Sequence, residues 1–240
     1  MRLQKFLAHA GICSRRKAES FILEGRVRVN HLKITTLGTQ VDPEKDQVMF
    51  DNKRVNPPKA SEGYTYIAVN KPRGVITSCS QTNAKIILDL VPIKKRVYPI
   101  GRLDKDSVGL VLLTDDGELH NRLSHPSHNH EKEYLVKTVS PFPDSALKAM
   151  AEGMVIEGVK TRKAAVKRIA DNEFKIILKQ GRNRQIRKMV EQAHNKVDTL
   201  KRIRMANINL GNMKERAWRY LTAAEIKVLT KPHTTQNLPK

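Results

Sequence analysis

The segment GRLDKDSVGLVLLT, Gly101 to Thr114, sets Asp104 and Asp106 among Arg102 and Lys105 just ahead of an aliphatic run. A carboxylate so placed pairs with a local cation, ligates a metal, or acts on a substrate as nucleophile or charge stabiliser. The bland outcome is a turn or a salt bridge, with Arg102 as the obvious partner. Asp104 with Asp106, or Asp115 with Asp116, would suit a metal-dependent nuclease, which a chelator would silence. His120, His125, His128 and His130 crowd one segment, but no cysteine or HExxH pattern accompanies them, and no metal site is assigned.

The chain around these groups is strongly basic. Its 240 residues carry 45 Lys and Arg against 24 Asp and Glu, a formal net charge of +21. Such a field favours a polyanion, with nucleic acid preferred because phosphate neutralisation releases counterions. A membrane is disfavoured, since no run reaches the roughly 18 apolar residues of a spanning helix. In a cleft that binds nucleic acid a carboxylate repels phosphate, so Asp104 needs an offsetting role. The segment MRLQKFLAHAG has no signal-peptide pattern, so a cytoplasmic protein is expected. Cys13 and Cys79 then read as reduced thiols. A monomer is the default expectation.

Helices and strands must position these residues. Leu3, Phe6, Leu7 and Ala10 follow helical spacing, and Gly11 is placed to end that helix. Ser14 is predicted to cap a second helix that buries Ala18, Phe21 and Ile22 and stops at Gly25. Arg15, Arg16 and Lys17 in its first turn oppose the helix dipole, a cost that points to an external anion, although a solvated face remains the alternative. In RVRVN, Arg26 and Arg28 fall on the strand face opposite Val27 and Val29.

The strand-like QVMF and the turn DNK follow, and then NPPKASEG, Asn56 to Gly63, reads as a linker. From there to about Leu229, alternating strands such as YTYIAVN and EFKIILK mix with amphipathic helices, giving an α+β class. Asp115 and Glu118 are expected to open a helix through Ser124 as a capping-box pair. In NRQIRKMVEQA, Ile186, Met189, Val190 and Ala193 form a helical stripe with Arg187 on its margin. Residues 231–240 are expected to be a disordered tail.

Two resemblances follow from these residues. GICSRRKAESFILEGRVRVNH resembles the core of the S4 RNA-binding domain, with His31 where that family commonly has Gly. NKPRG (Asn70 to Gly74), GRLDKDSVGL, KEYLV (Lys132 to Val136) and GRNRQIRKM (Gly181 to Met189) are similar, in order, to the four motif blocks of the RsuA-type pseudouridine synthases. NHEKEYLV, LKQGRNRQIRKM and RAWRYL resemble most the RluF and RluB branches, which modify large-subunit ribosomal RNA; the HEKEYLV context leans to RluF. Ser107 and Arg182 depart from the usual residues of these blocks.

The resemblance implies a small α/β S4 domain over 1–55, a linker over 56–63, and a synthase domain over 64–230 with a mixed, mainly antiparallel sheet and flanking helices. It implies conversion of uridine to pseudouridine in ribosomal RNA, most of all 23S RNA, without a cofactor. Asp104 would act at ribose C1′, Arg187 would be its cationic partner, and Tyr134 would stack on uracil and take the C5 proton. Arg102 would assist base flipping. Lys71, Arg182, Arg184, Gln185, Lys188, Arg202 and Arg204 would bind the substrate, mostly at its phosphates, and Arg15, Arg16, Lys17, Arg26 and Arg28 would bind RNA through the S4 domain. A non-catalytic RNA binder built on the same two domains is the competing reading.

Overall fold

The computed structural model describes residues 1–56, 63–80, 83–124 and 130–231. Most of the expected linker, His125 and His128 of the histidine-rich segment, and residues 232–240 of the expected tail lie outside the described residues. The chain divides into two compact units, one of Met1–Tyr64 with Ile93–Arg96 and one of Thr65–Pro92 with Val97–Lys240.

In the first unit, α1 (Leu3–His9) and α2 (Arg15–Leu23) precede β1 (Val27–Val29), β2 (Leu32–Ile34), β3 (Val48–Phe50) and β4 (Lys53–Val55). The expected cap is present: the Lys17 amide donates to Ser14 Oγ at 3.2 Å. Leu3, Phe6, Leu7, Ala18 and Ile22 pack on Val27, Val29 and Val48 of a sheet ordered β2-β1-β3-β4. Phe21 is only half-buried, because it supports two cations at the surface: Lys17 lies 4.7 Å and Arg26 4.2 Å from its ring centre.

The β1–β2 turn places Asn30 at φ 50° and His31 at φ 69°, the left-handed pair of a two-residue hairpin. Asn30 is tied there, its side chain accepting from the Gln47 amide at 2.9 Å and donating to Asp46 at 2.8 Å. His31 bears the strain of a Cβ in this region without such a tie. His31→Gly is therefore expected to stabilise the protein by about 1 kcal/mol, which thermal unfolding would register as a raised midpoint. An unchanged or lowered midpoint would contradict this.

The second unit begins with β5 (Tyr66–Lys71), a 3₁₀ turn (Ile87–Leu90), β6 (Tyr98–Ile100), β7 (Val108–Thr114), α3 (Gly117–Ser124), β8 (Lys132–Thr138) and α4 (Asp144–Glu152). It continues with β9 (Val155–Ile156), β10 (Val159–Lys160), β11 (Ala165–Ala170), β12 (Glu173–Leu178), α5 (Gln185–Gln192), β13 (Val197–Met205), β14 (Ile208–Asn209), β15 (Trp218–Tyr220) and α6 (Ala223–Thr230). Among the described residues a nine-stranded sheet runs β11-β12-β8-β13-β7-β5-β15, with β14 added to β13 and β6 to β7. Its pairs are antiparallel except β7 with β13. The α+β architecture with a mixed, mainly antiparallel sheet is as expected.

All six residues of β5 and the last six of β7 are buried, which explains their unbroken apolar runs: a central strand covered on both faces loses the apolar-polar alternation. One expectation shifts by a residue. Asp116, not Asp115, caps α3, accepting from the Glu118 and Leu119 amides at 2.9 Å each. Asp115 instead accepts from the Thr65 amide at 2.6 Å, tying β7 to the start of β5.

Candidate active site

Asp104 lies in the loop between β6 and β7, which is fastened on several sides without use of its carboxylate. Thr77 Oγ1 donates to the Leu103 carbonyl at 3.0 Å and receives the Leu103 amide at 3.2 Å. The Gly74 amide donates to the Lys105 carbonyl at 2.9 Å. Arg187 Nη2 donates to the Asp106 carbonyl at 3.3 Å and to Ser107 Oγ at 3.2 Å. Asp104 is thereby held half-buried on a rigid support.

Gly109, five positions on, makes the support possible. Its φ is +103°, and a Cβ there would stand 2.3 Å from the Arg202 carbonyl oxygen of β13. The parallel seam of the sheet, where Gly109 faces Arg202, closes only because this side chain is missing.

A cavity of about 400 Å³ opens over this loop. Asp104 and Arg102 line it with Tyr134 of β8, Gln185 of α5, Arg202 of β13, and Arg182 and Arg184 of the segment before α5. Tyr134 is 8% exposed and faces Arg202 across the β8–β13 pair. Arg184 enters α5 with φ 51°, a left-handed conformation uncommon for arginine and frequent at working sites. Arg187 is more deeply buried than its place on the margin of the stripe implied. Burial lowers the pKa of its guanidinium, with Arg184 adding to this and the charges of Asp104 and Asp106 opposing it.

Not every expected site residue joins this cavity. Lys71 is fully buried and cannot reach a phosphate: its ammonium donates to the Pro72, Val75 and Lys105 carbonyls at 3.0, 2.8 and 3.4 Å. Burial brings its pKa down to about 8 against the pull of Asp104 and Asp106, so it serves as an internal clamp on the Asp104 loop. Arg202 is 1% exposed and lines the cavity from within the sheet, not from the surface where phosphates would meet it.

Arg204 is engaged by Glu133 at 2.9 Å and Glu131 at 3.0 Å and lines a different cavity. A register shift in β13 between Arg202 and Arg204 separates the two arginines, as a bulge does. Lys188 pairs with Glu157 at 2.7 Å. In the first unit Arg26 pairs with Asp51 and lies over the Phe21 and Phe50 rings, while Arg15, Arg16, Lys17 and Arg28 are exposed.

Lys132, Gln180 and Asn183 also line the cavity and were not singled out as site residues from the sequence. Lys132 stands two residues before Tyr134, so strand alternation places both on one face. Among the described residues, no group of three or more His, Cys, Asp and Glu could hold a metal ion, and no helix is long and apolar enough to cross a membrane.

A half-buried carboxylate, an aromatic ring and a set of cations in one cavity suit attack at an electron-poor sugar carbon beside a planar base. Residues 65–192 match the model of the RNA pseudouridylate synthase family, and residues 1–48 match the S4 domain. The chain belongs to the RNA pseudouridylate synthase family. It is 42% identical to the dual-specificity RNA pseudouridine synthase RluF of Escherichia coli O6:H1 (strain CFT073), over 94% of this chain and 77% of the relative.

Ribosomal large subunit pseudouridine synthase B of Bacillus subtilis (strain 168) is 39% identical, with 95% of each chain covered. Among solved structures, a pseudouridylate synthase superposes with a TM-score of 0.69 at 31% identity, covering 95% of this chain and 99% of the other. The leaning of the sequence motifs to the RluF and RluB branches agrees with these relatives. The protein is thus an RNA pseudouridine synthase, an isomerase.

Proposed function

We propose that the protein isomerises a specific uridine of large-subunit (23S) ribosomal RNA, acting in the cytoplasm as a monomer. The observation that carries this reading is the single cavity that gathers Asp104, Tyr134, Arg102 and Arg202, with Arg187 bonded to the loop that bears Asp104. The RluF and synthase B relatives support the choice of RNA.

The target nucleotide leaves its stack, and exposed Arg102 at the cavity fills the space. The Asp104 carboxylate attacks C1′ or stabilises its positive charge as the C1′–N1 bond breaks. Tyr134 stacks on the base and takes the C5 proton once C5 has joined C1′. Arg15, Arg16, Lys17 and Arg28 of the first unit, with Arg182 and Arg184 at the cavity, hold phosphates and set position more than sequence.

Site-resolved pseudouridine mapping of ribosomal RNA, in cells with and without the protein, tests the reading. One large-subunit site should disappear, return with the wild-type chain and stay absent with Asp104→Asn. An unchanged map would instead favour another RNA.

A further inference from the structure

The roles of Asp104, Tyr134 and Arg187 leave a second set of cavity groups unused, and all of them donate hydrogen bonds. Gln185 is 3% exposed; its Oε1 accepts the Arg182 amide at 3.2 Å, which fixes the amide's orientation and leaves buried Nε2 without a partner among the described residues. Arg202 donates Nε to the Leu110 carbonyl at 2.7 Å, while its buried Nη2 has no partner among the described residues. Gln180 Nε2 is likewise buried and, among the described residues, unpartnered.

Lys132 joins them in the cavity lining, with no ion pair among the described residues. Burial, and then the neighbouring charge of Arg202, lower the pKa of its ammonium. Unpaired buried donors are costly to leave unmet, a penalty recovered when an acceptor-rich ligand enters. Lys132 and Arg202 add two cations to a lining that also holds Arg102, Arg182 and Arg184 and one carboxylate, Asp104, which further selects for a group that carries negative charge.

The reaction under Proposed function, on which this inference rests, generates such a group. When the C1′–N1 bond breaks, its electron pair leaves with the pyrimidine, and the charge spreads over N1, O2 and O4. C1′ is held meanwhile by the Asp104 carboxylate. After the base turns, C5 supplies the electron pair of the new bond to C1′, the bond from C1′ to the Asp104 oxygen breaks with its pair returning to the carboxylate, C5 loses its proton and N1 gains one; no atom or electron is left over.

We propose that Lys132 and Arg202, with the Gln185 amide, stabilise the negative charge of the detached pyrimidine and hold it by its carbonyl oxygens while it turns. Lys132 is on this account a catalytic residue. A cation that meets charge only after cleavage accelerates the reaction without tightening RNA binding.

The test uses the full chain in single turnover on an RNA carrying the mapped uridine, and on the same RNA with 5-fluorouridine at that site. Fluorine makes the departing base less basic, so it needs less help. Lys132→Met should slow loss of uridine about 100-fold but loss of 5-fluorouridine by about 10-fold or less, with RNA affinity unchanged within about twofold. Lys132→Arg should restore most of the rate, and serves as the deciding variant if Lys132→Met melts early.

Equal penalties on the two bases would overturn the proposal in favour of a structural role. A loss of affinity matching the loss of rate would overturn it in favour of a phosphate grip. An unchanged uridine rate would also end it. Wild-type protein inactive on every ribosomal RNA tried would sink the substrate reading itself, a failure visible before any variant is compared.

Discussion

Asp104→Asn is expected to abolish pseudouridine formation, by about 10⁴-fold or more, while RNA affinity stays within about twofold of wild type. The asymmetry follows from how the loop is held. Thr77, Gly74, Lys71 and Arg187 fasten residues 103–107 through backbone groups and the Ser107 hydroxyl, none through the Asp104 carboxylate. Asn is nearly the same shape, so the cavity survives and only the charge and nucleophilicity at C1′ are lost. Pseudouridine counted in nuclease digests, beside filter binding of the same RNA, separates the two quantities. Equal loss of both would assign Asp104 to binding and revive the non-catalytic reading.

Gly109→Ala should be the most damaging single methyl group in the second unit. The residue sits at φ +103°, outside even the left-handed region that other residues tolerate, and the new Cβ would meet the Arg202 backbone at 2.3 Å from its oxygen and 2.8 Å from its nitrogen. Backbone atoms in a sheet seam cannot swing aside as a side chain can. Strain of about 1–3 kcal/mol joined to overpacking of about 1–3 kcal/mol takes a large share of the roughly 5–15 kcal/mol that holds a domain folded. The urea midpoint should fall sharply, and activity with it at temperatures where the variant is still folded, because the seam pairs Arg202 with Gly109 and the Asp104 loop leads directly into it. A midpoint like that of wild type would refute the account of Gly109. Gly101, also at positive φ but with open space around its missing Cβ, is the control: Gly101→Ala carries the backbone cost alone.

The sequence was most legible where physics is local. Ser14 ahead of Arg15–Leu23 and the apolar stripe of α5 depend on neighbours within a turn or two, and both stand as expected. The Asp104 loop was recognisable because its motif is contiguous. What escaped reading depends on partners far along the chain. Lys71 looked like a surface cation, yet its ammonium is sealed by carbonyls that include one 34 residues away. Lys132 was not singled out because nothing nearby in the sequence announces that β13 will bring Arg202 beside it.

Arg202 and Arg204 show the limit most directly. Two residues apart on a strand, they should share a face, and only an irregular register in β13 sends one to the candidate active site and the other to the acidic pair Glu131 and Glu133. The capping of α3 by Asp116 is a smaller case: adjacent aspartates compete for one position, and the winner is set by where β7 ends.

The single parallel junction of the sheet among the described residues also orders events in time. β7 ends at Thr114 and β13 starts at Val197, so the seam waits for more than a third of the chain to be made. Contacts of such long sequence separation form late, after the local hairpins and helices. A nascent chain emerging from the ribosome will therefore carry α1, α2 and the first hairpins, with their exposed arginines, well before Arg202 arrives to complete the cavity. During synthesis the molecule is a basic binder first and a catalyst only at the last stage, so a truncation between Arg96 and β13, which keeps the whole first unit, should leave RNA affinity without turnover.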